Sequence, residues 1–598
     1  MKNWANEALH RFHIPVMGTG FTIDTPLKVA KYGISSAVAL LDDVLIEQMR
    51  KFHSEKEGIP FTEIKKTDRD SRARRITSYL NLLDRIVKRQ VANLKKTAFI
   101  AGSEITRYFE LLPDNGLRKE YEKMQREENP TIKKEMQRRL REEVAPGSID
   151  VNIMTKCDRD IYKNGKKLPA FYSDAMSALR GFAKSKLSSS VVFSAGLNQR
   201  LFSYAAEFND FLPDSDGNLK KKIILKVSDY RSAEIQGKML AKRGLWVSDF
   251  RVESGLNCGG HAFAGKGHLL GTTLEEFRTK RVELNDMLFN IYSEALISKG
   301  LNKPQKPPVL KVSAQGGIGT NEENDFLMNY YNLDETGWGT PFLLIPEVTN
   351  VDAEHLKKLL KAKKKDIYLS DASPLNVPFW NLRNSASERA RRLRIRKGAP
   401  GSPCLRGYPC FNTEFTSEPI CTASRKYQML KIEELKNMAV LKKNQVKARL
   451  KEILHKSCLC HDLAGAVTIK NKIDSKVTPA ITTGPNIVNF SRIMSLEEIV
   501  NHIYGRKPLR LKRKRKHMFI TELALNIEKM KKDIQDFKKG LFPDAQKQIR
   551  EYEENLVAGI EYYRNLADQF VGKHKKRFLA DLQKMADALE MLADEVPV

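Results

Sequence analysis

The sequence predicts an α/β protein built on a (β/α)8 TIM barrel, with a large helical insertion and a C-terminal extension that is cysteine-rich and then helical. Three observations support this prediction. The chain of 598 residues is long enough for such a barrel and further domains. Helical patterns separate most of its short β-branched runs, and eight such units close a parallel barrel. The runs are HIPVMGTG (13–20), SSAVALL (35–41), SIDVNIM (148–154), SSVVFSAG (189–196), KIILKVS (222–228), WVSDFRVES (246–254), PVLKVSAQGG (308–317) and GWGTPFLLI (337–345).

The spacing of the runs predicts the domain organisation. The largest gap contains the charged segment SRARRITSYLNLLDRIVKRQVANLKK, which indicates a helical insertion after the second strand, at about 50–147. We therefore expect a barrel domain at 1–385, a cysteine-rich region at 386–504, and a basic tract with a helical bundle at 505–598. Apolar residues at helical spacing, as in FLADLQKMADALEML, predict helices near 518–540, 543–571 and 574–595.

The charge of the chain indicates a phosphate-rich partner. The formal net charge is +30, which exceeds what solubility requires and suits a polyanion such as RNA or DNA. Basic residues concentrate in ASERARRLRIRKG (386–398) and in GRKPLRLKRKRKH (505–517). The alternative is that these runs are solvated linkers, since no known nucleic-acid-binding module stands in the sequence.

Targeting signals and cysteine usage bear on the compartment. The N-terminus lacks the apolar stretch of a secretory signal, and no segment approaches ~18 uninterrupted apolar residues, so we expect a cytoplasmic protein without a membrane partner. Seven cysteines, an odd number, argue against a disulfide scaffold. Five of them lie between 404 and 460, a clustering that suggests a metal.

Glycine dominates the expected C-terminal ends of the strands, where a TIM barrel places its chemistry. Bare backbone after the seventh and eighth strands suits the approach of amide groups to a phosphate. The ordered motifs IPVMGTGFTIDTPLKVAKYG, VNIM, ESGLNCGGHAF, SAQGGIGT and GWGTPFL resemble the nitronate monooxygenase family and the related FMN-dependent enoyl reductases, and more distantly the FMN domain of glutamate synthase. The resemblance covers about 12–50 and 148–350.

The resemblance implies FMN and a set of residues that hold it. It places the phosphate at Gly316 and Gly317 and at the turn of Gly339 and Thr340, and the ring beside Gly18, Thr19 and Asn152. Gly259 and Gly260 clear room for the ring, and His261 serves as base or proton donor. Lys226, at the end of the fifth strand, is a candidate for stabilising negative charge on the flavin, as similar lysines do in glutamate synthase. A turn residue for His261 and a salt bridge for Lys226 are the alternatives.

The cysteines form a candidate metal site. Cys404, Cys410 and Cys421 are followed by Cys458 and Cys460, a spacing wider than that of a zinc ribbon. Glutamate synthase carries a three-cysteine loop for an iron–sulfur cluster after its FMN barrel, and this analogy of position favours such a cluster here. Cys410 is the least favoured ligand, and zinc or buried free thiols remain alternatives.

Together these features predict an FMN-dependent oxidoreductase in which His261 moves a proton and a cluster relays electrons. Its substrate is a small molecule or a base in RNA. No G-x-G-x-x-G fingerprint follows a strand, so electrons come from transiently bound NAD(P)H or a redox protein. The alternative function is a nucleic-acid-binding scaffold with a catalytically silent barrel.

Overall fold

A computed structural model describes residues 9–194, 196–259, 261–262, 266–437, 443–512, 515–540, 545–570 and 573–595. Its centre is a closed barrel of eight parallel strands, which confirms the predicted fold class. Around the barrel the strands follow the order β1-β10-β9-β8-β7-β6-β3-β2. These strands are β1 (Phe12–Ile14), β2 (Ser35–Ala39), β3 (Ile149–Met154), β6 (Ser189–Ser194), β7 (Lys221–Val227), β8 (Val247–Glu253), β9 (Lys311–Gln315) and β10 (Glu335–Gly337). Two hairpins contain β4 (Tyr162–Lys163) with β5 (Lys166–Lys167), and β11 (Ile367–Ser370) with β12 (Phe379–Leu382).

Helices surround the barrel and extend beyond it. They are α1 (Pro26–Val29), α2 (Asp43–Lys56), α3 (Ser71–Leu94), α4 (Glu104–Leu111), α5 (Gly116–Arg126), α6 (Pro130–Glu143), α7 (Asp174–Ala183), α8 (Gln199–Ala205), α9 (Tyr230–Ala241), α10 (Leu270–Ser298), α11 (Asn321–Tyr330), α12 (Ala353–Lys361), α13 (Ala386–Arg396), α14 (Arg425–Asn437), α15 (Lys443–His455), α16 (Leu459–Asp462), α17 (Gly465–Lys470), α18 (Leu496–Ile503), α19 (Met518–Lys538), α20 (Gln546–Leu566) and α21 (Lys573–Ala593). Helices α2 to α6 fill the long connection between β2 and β3.

The barrel strands are apolar enough to be buried on both faces, as a helix-covered parallel sheet requires. In β6, for example, Val191, Val192 and Phe193 are all buried. One continuous hydrophobic core extends from the strands through the insertion to the C-terminal helices, where Phe519 stacks on Tyr563 with ring centres 4.9 Å apart. Helices α19, α20 and α21 pack on one another, and α19 and α20 also contact α10.

Two predicted strands are shorter than expected. The run at 337–345 contributes only its first residue to β10, because Pro341 opens a 3-10 helix at Thr340–Leu344. The run at 13–20 leaves the barrel after Ile14, and Gly18 then adopts a φ of 153°. Both segments of the chain therefore turn at the end of the barrel where the parallel strands finish. We call this end the barrel mouth.

Candidate active site

The two late glycine turns meet at the barrel mouth. Gly316 and Gly317, after β9, line one narrow cavity together with Gly339 and Thr340, after β10. Asn257 and Cys258, from the loop after β8, line the same cavity. Gly316 and Gly317 have φ values of 109° and 85°, which L-residues rarely adopt. The structure therefore brings together the four residues that the sequence assigned to a phosphate.

Among the described residues, several polar groups around this cavity have no partner. The amide of Gly317, beyond the end of β9, donates no hydrogen bond to the described backbone, whereas the register of β9 and β10 directs the Gly316 amide to the Gly337 carbonyl. The side-chain oxygens Oδ1 of Asn257 and Oδ1 of Asn486 are buried, accept no hydrogen bond from the described residues, and belong to residues that line the cavity. Buried polar groups are normally paired, so this cavity offers both donors and acceptors to a ligand.

A segment from far along the chain covers the cavity. The backbone of Gly484 packs on Thr340, so closely that a Cβ at residue 484 would lie 2.5 Å from Thr340 Oγ1. Asn486 donates from Nδ2 to the carbonyl oxygens of Gly317 and Ile318, at 3.4 and 3.2 Å. Under this cover the walls leave room for about one water molecule.

An ion pair organises the neighbouring part of the mouth. Lys226 Nζ, on β7, lies 2.7 Å from Glu253 Oε1, at the end of β8. The same carboxylate oxygen accepts hydrogen bonds from Gln315 Nε2 at 2.6 Å and from Asn257 Nδ2 at 2.8 Å. Lys226 and Glu253 also line a wider cavity of about 380 Å³, together with Lys156. Glu253 thus lines the wide cavity and also binds Gln315 and Asn257, which line the narrow cavity at the glycine turns.

His261 is linked to Glu253 through Asn257, and it lies against the hairpin of β11 and β12. Asn257 Nδ2 donates to the His261 carbonyl oxygen at 3.0 Å, and His261 Nε2 is hydrogen-bonded to Ser373 Oγ at 2.6 Å. Its ring packs edge to face on Phe379, with ring centres 5.5 Å apart. Burial lowers the pKa of His261 to about 4, and the positive charges of Lys156 and Lys226 add to this effect. The imidazole is therefore neutral near pH 7, so it is suited to accept a proton rather than to begin as a charged donor.

The remaining residues that the sequence assigned to the flavin also lie near strand ends. Thr19 is buried and its hydroxyl has no partner within the described part of the chain, whereas Gly18 packs against Phe21 and Thr482. Asn152 Nδ2, on β3, is 3.4 Å from Ser194 Oγ. Gly259 passes close to the carbonyl of Val16. Gly260 lies outside the described residues.

FMN can be tested against this set of groups. Its phosphate accepts hydrogen bonds and suits the free Gly317 amide at the glycine turn, and its polyol hydroxyls can donate to Asn257 Oδ1 and Asn486 Oδ1. The residues present therefore fit FMN in their chemistry. Because the space between the turns admits about one water, phosphate entry requires the cover at Gly484 and Asn486 to move outward.

The five predicted metal ligands form one thiol cluster. The sulfur atoms of Cys404 and Cys410 are 4.0 Å apart, and hydrogen bonds from the thiols of Cys410 and Cys421 hold the pKa of Cys404 well below its usual value. Hydrogen bonding with Cys458 raises the pKa of Cys460, and the charges of Cys421 and Cys404 reach the same thiol. Cys404, Cys410 and Cys421 therefore lie together, Cys458 lies beside Cys460, and the two groups are close enough for their charges to interact.

The thiol cluster does not have finished metal geometry. Within the ranges that the structure describes, no group of three or more His, Cys, Asp or Glu side chains is arranged to hold a metal ion. A tetrahedral zinc with Zn–S bonds of about 2.3 Å places its ligand sulfurs about 3.8 Å apart, near the spacing of Cys404 and Cys410. The donor set thus suits a thiolate-bound metal in kind, and zinc and an iron–sulfur cluster are both consistent with it.

The thiol cluster is attached directly to the barrel mouth. Tyr408 packs with Cys458 and Cys460, and its hydroxyl donates to Asp43 Oδ1 at 2.8 Å, just after β2. Helix α16, which contains Cys460, is followed by Leu463 and Ala464, whose backbones press on Gly20 in the loop after β1. Cys460 and Ala464 are four residues apart, which corresponds to about 6 Å along a helix axis. Cys460 therefore lies roughly that far from the contact between Ala464 and Gly20.

The described residues of the basic tract, 505–512 and 515–517, are held against the rest of the protein by polar and aromatic contacts. Arg515 pairs with the buried Glu323, with Nη1 2.7 Å from Oε1, and also contacts the Gly317 carbonyl. Arg506 donates from Nε to Asn501 Oδ1 at 2.8 Å, and His517 packs against Phe519. Arg506 and Arg515 of this tract are therefore engaged in contacts within the protein. No helix of the described residues has the length and apolarity needed to cross a membrane.

Sequence reasoning missed several residues of this site. Glu253 stands in the quoted motif ESGLNCGGHAF and follows a strand, so its position was a usable signal. Ser373 and Asn486 reach the site from distant parts of the chain, and no local pattern marks them.

Comparisons with known proteins give no family assignment for this chain. No family model matches the chain, and no curated protein matches it. Among solved structures, the chain is similar to the enoyl reductase domain of MlnA from the macrolactin biosynthesis cluster of Bacillus amyloliquefaciens. That match has 14% sequence identity and a TM-score of 0.31, and it covers 74% of this chain and 90% of the other. At this TM-score the likeness assigns neither a family nor a function.

Proposed function

We propose that this protein is a flavin-dependent oxidoreductase that binds FMN at the barrel mouth. The observation that carries the proposal is the cavity where Gly316, Gly317, Gly339 and Thr340 converge, with an unpaired Gly317 amide and two unpaired acceptor oxygens among the described residues. When bound, FMN supplies a ring that takes up or releases a hydride equivalent. The substrate, a small molecule or a base in RNA, enters through the wide cavity beside Lys226.

The side chains of the mouth have distinct tasks in this function. Glu253 holds the Lys226 ammonium and the Asn257 amide in fixed positions, and Asn257 in turn holds the backbone of His261. The neutral imidazole of His261 accepts a proton at a ring nitrogen when the substrate is oxidised. The cover at Gly484 keeps water out of the narrow part of the site.

We further propose that the thiol cluster holds an iron–sulfur centre that exchanges electrons with the barrel mouth. The proximity of five thiols and the contact of Leu463 with Gly20 support this role. NAD(P)H or a redox protein serves as electron donor. Clustered free thiols suit a reducing compartment, so we place the protein in the cytoplasm. Iron and zinc analysis after anaerobic purification tests this point, and zinc without iron would contradict it.

A binding titration tests the flavin proposal. FMN fluorescence is followed while the protein is added, for the wild type and for Gly317→Ala. A Cβ at residue 317 would lie 2.7 Å from Leu256 Cδ1, in the glycine turn that lines the narrow cavity. We therefore expect this variant to lose at least tenfold in affinity for FMN. Gly102→Ala is the matched control, because Gly102 also has a positive φ, 76°, but faces open space. A wild type that does not bind FMN, or equal losses in both variants, would refute the proposal and favour the scaffold alternative.

A further inference from the structure

One surface of the protein is built from separate segments that are joined by their own polar contacts. Lys358 Nζ, on α12, donates to the Asn384 carbonyl at 3.0 Å, and Arg389 Nη2, on α13, pairs with Glu354 at 2.8 Å. Arg383 Nε donates to the Lys365 carbonyl at 3.0 Å. These contacts bring residues 353–366 and 383–397 into one surface, which we call the basic face.

The basic face carries a large excess of positive charge. Its acidic residues are few: Glu354 pairs with Lys358 and Arg389, Asp366 accepts from the Lys363 amide, and Glu388 is buried against Arg391. The exposed or partly exposed cations are Lys357, Lys358, Lys361, Lys363, Lys364, Lys365, Arg383, Arg389, Arg392, Arg394, Arg396 and Lys397. Ion pairs at an exposed surface contribute little stability, so these cations are available to a partner.

Crowding of like charge is visible at one side chain of this face. Burial lowers the pKa of Arg394, Asp462 and Cys458 raise it, and the positive charges of Arg425 and Arg391 lower it. The Nε of Arg394 has no hydrogen-bond partner among the residues that the structure describes. Such a concentration of charge destabilises the isolated fold unless an anionic partner compensates it.

We propose that the basic face binds the phosphate backbone of a single-stranded nucleic acid. Arg389, Arg392 and Arg396 follow one side of α13 about one turn, or about 5 Å, apart, which presents a row of guanidinium groups to a row of phosphates. Beside them Arg383 stacks on the ring of Tyr368 at 4.0 Å, and such an aromatic platform also suits a base. Among the described residues of this face, Leu393 alone is a large exposed hydrophobic side chain, so membrane insertion is not favoured.

This proposal does not depend on the flavin. It places nucleic-acid binding on residues 353–366 and 383–397 instead of on the tract at 505–517, where Arg506 and Arg515 are paired within the protein. The two proposals fail separately, because a protein without flavin can still bind RNA and a flavoenzyme can lack this activity.

The test is fluorescence anisotropy of the full-length protein with a labelled single-stranded RNA of mixed sequence, repeated over a salt series. A single-stranded DNA of the same sequence distinguishes the two sugar backbones. The test variant combines Arg389→Gln, Arg392→Gln and Arg396→Gln. The matched control combines Lys119→Gln, Lys123→Gln and Arg126→Gln, which removes the same charge from exposed positions of α5.

We expect the wild type and the control to bind with similar affinity and a steep salt dependence. The test variant should bind at least tenfold more weakly at low salt, and its plot of log affinity against log salt should be less steep by about 2, as the loss of three single-strand phosphate contacts requires. Absence of binding to both nucleic acids, equal losses in the two triple variants, or binding to anionic vesicles without binding to RNA would each overturn the proposal.

Discussion

Glu253 and Lys226 form an ion pair of 2.7 Å at the ends of two neighbouring barrel strands, and both side chains are largely buried. The pair lies between the wide cavity and the loop that contains His261. Because Asn257 and Gln315 donate to the same carboxylate oxygen, the positions of three side chains, Lys226, Asn257 and Gln315, depend on Glu253.

Glu253→Gln should therefore destabilise the barrel mouth. Removing one partner leaves the buried Lys226 ammonium uncompensated, which costs about 3 kcal/mol of unfolding free energy. The double variant Lys226→Met with Glu253→Gln removes both charges and should regain most of this loss. Chemical denaturation of the wild type and both variants measures it, and equal stability of the wild type and Glu253→Gln would contradict the role of the pair.

The neutral state of His261 can be measured without a substrate. Since burial and two nearby lysines lower its pKa to about 4, its NMR signals should not shift between pH 5.5 and pH 8. The signal is assigned by its disappearance in His261→Gln, in protein whose histidines are labelled with ¹³C. A resonance that is lost in this variant but titrates near pH 6.5 would show that the ring is exposed and not held as described.

Glu522 should make stability depend on pH. It is buried on α19 and accepts the Leu270 amide at 2.9 Å, and burial raises its pKa from 4.5 to about 7. The native state therefore holds a proton more tightly than the unfolded chain, so this contribution is complete below about pH 4.5 and is lost as pH rises through 7. Integrated over this window, the loss is about 3 kcal/mol.

The comparison of Glu522→Gln with the wild type isolates this effect. The glutamine keeps an acceptor for the Leu270 amide but cannot ionise, so the variant should be more stable than the wild type at pH 8 and similar to it at pH 5. Denaturant unfolding at both pH values provides the measurement. A stability difference that does not change with pH would exclude a raised pKa at Glu522.

Gly20 should be needed for docking the thiol cluster. A Cβ at this position would lie 2.7 Å from the Leu463 carbonyl oxygen, and backbone cannot move aside cheaply. We expect Gly20→Ala to cost about 1–3 kcal/mol and to reduce the bound metal. Gly255→Ala is the control, because its nearest neighbour is the end of the Leu525 side chain at 3.3 Å. Wild-type stability and metal content in Gly20→Ala would place the cluster elsewhere.

Arg515 should be structural although it belongs to a basic tract. Its partner Glu323 is buried, so Arg515→Gln should cost about 3 kcal/mol, whereas Lys512→Gln at an exposed position should change stability by less than about 0.5 kcal/mol. Thermal denaturation of the two variants tests this difference. Similar melting temperatures for both would restore the interpretation of the tract as a loose linker.

The sequence predicted the barrel well because its strands are short apolar runs whose burial depends on their own residues. Val191, Val192 and Phe193 mark β6 without any knowledge of their neighbours. The glycine turns were also predictable, since the positive φ of Gly316 and Gly317 is a local backbone requirement.

The contacts that complete the site could not be predicted in this way. Ser373 meets His261 across 112 positions of the chain, and Asn486 covers Gly317 across 169 positions, so neither leaves a local pattern. The function of the basic tract was equally hidden, because a run of charges does not reveal that Arg515 has a buried partner. The proposed domain boundaries stay a prediction, since one core joins the barrel to the C-terminal helices.

The absorbance spectrum of anaerobically purified full-length protein, with chromatography of the released flavin, tests the central claim most directly. The account predicts about one FMN per chain, with flavin bands that bleach when dithionite is added. A colourless protein that neither releases FMN nor acquires it when FMN is supplied would contradict the account.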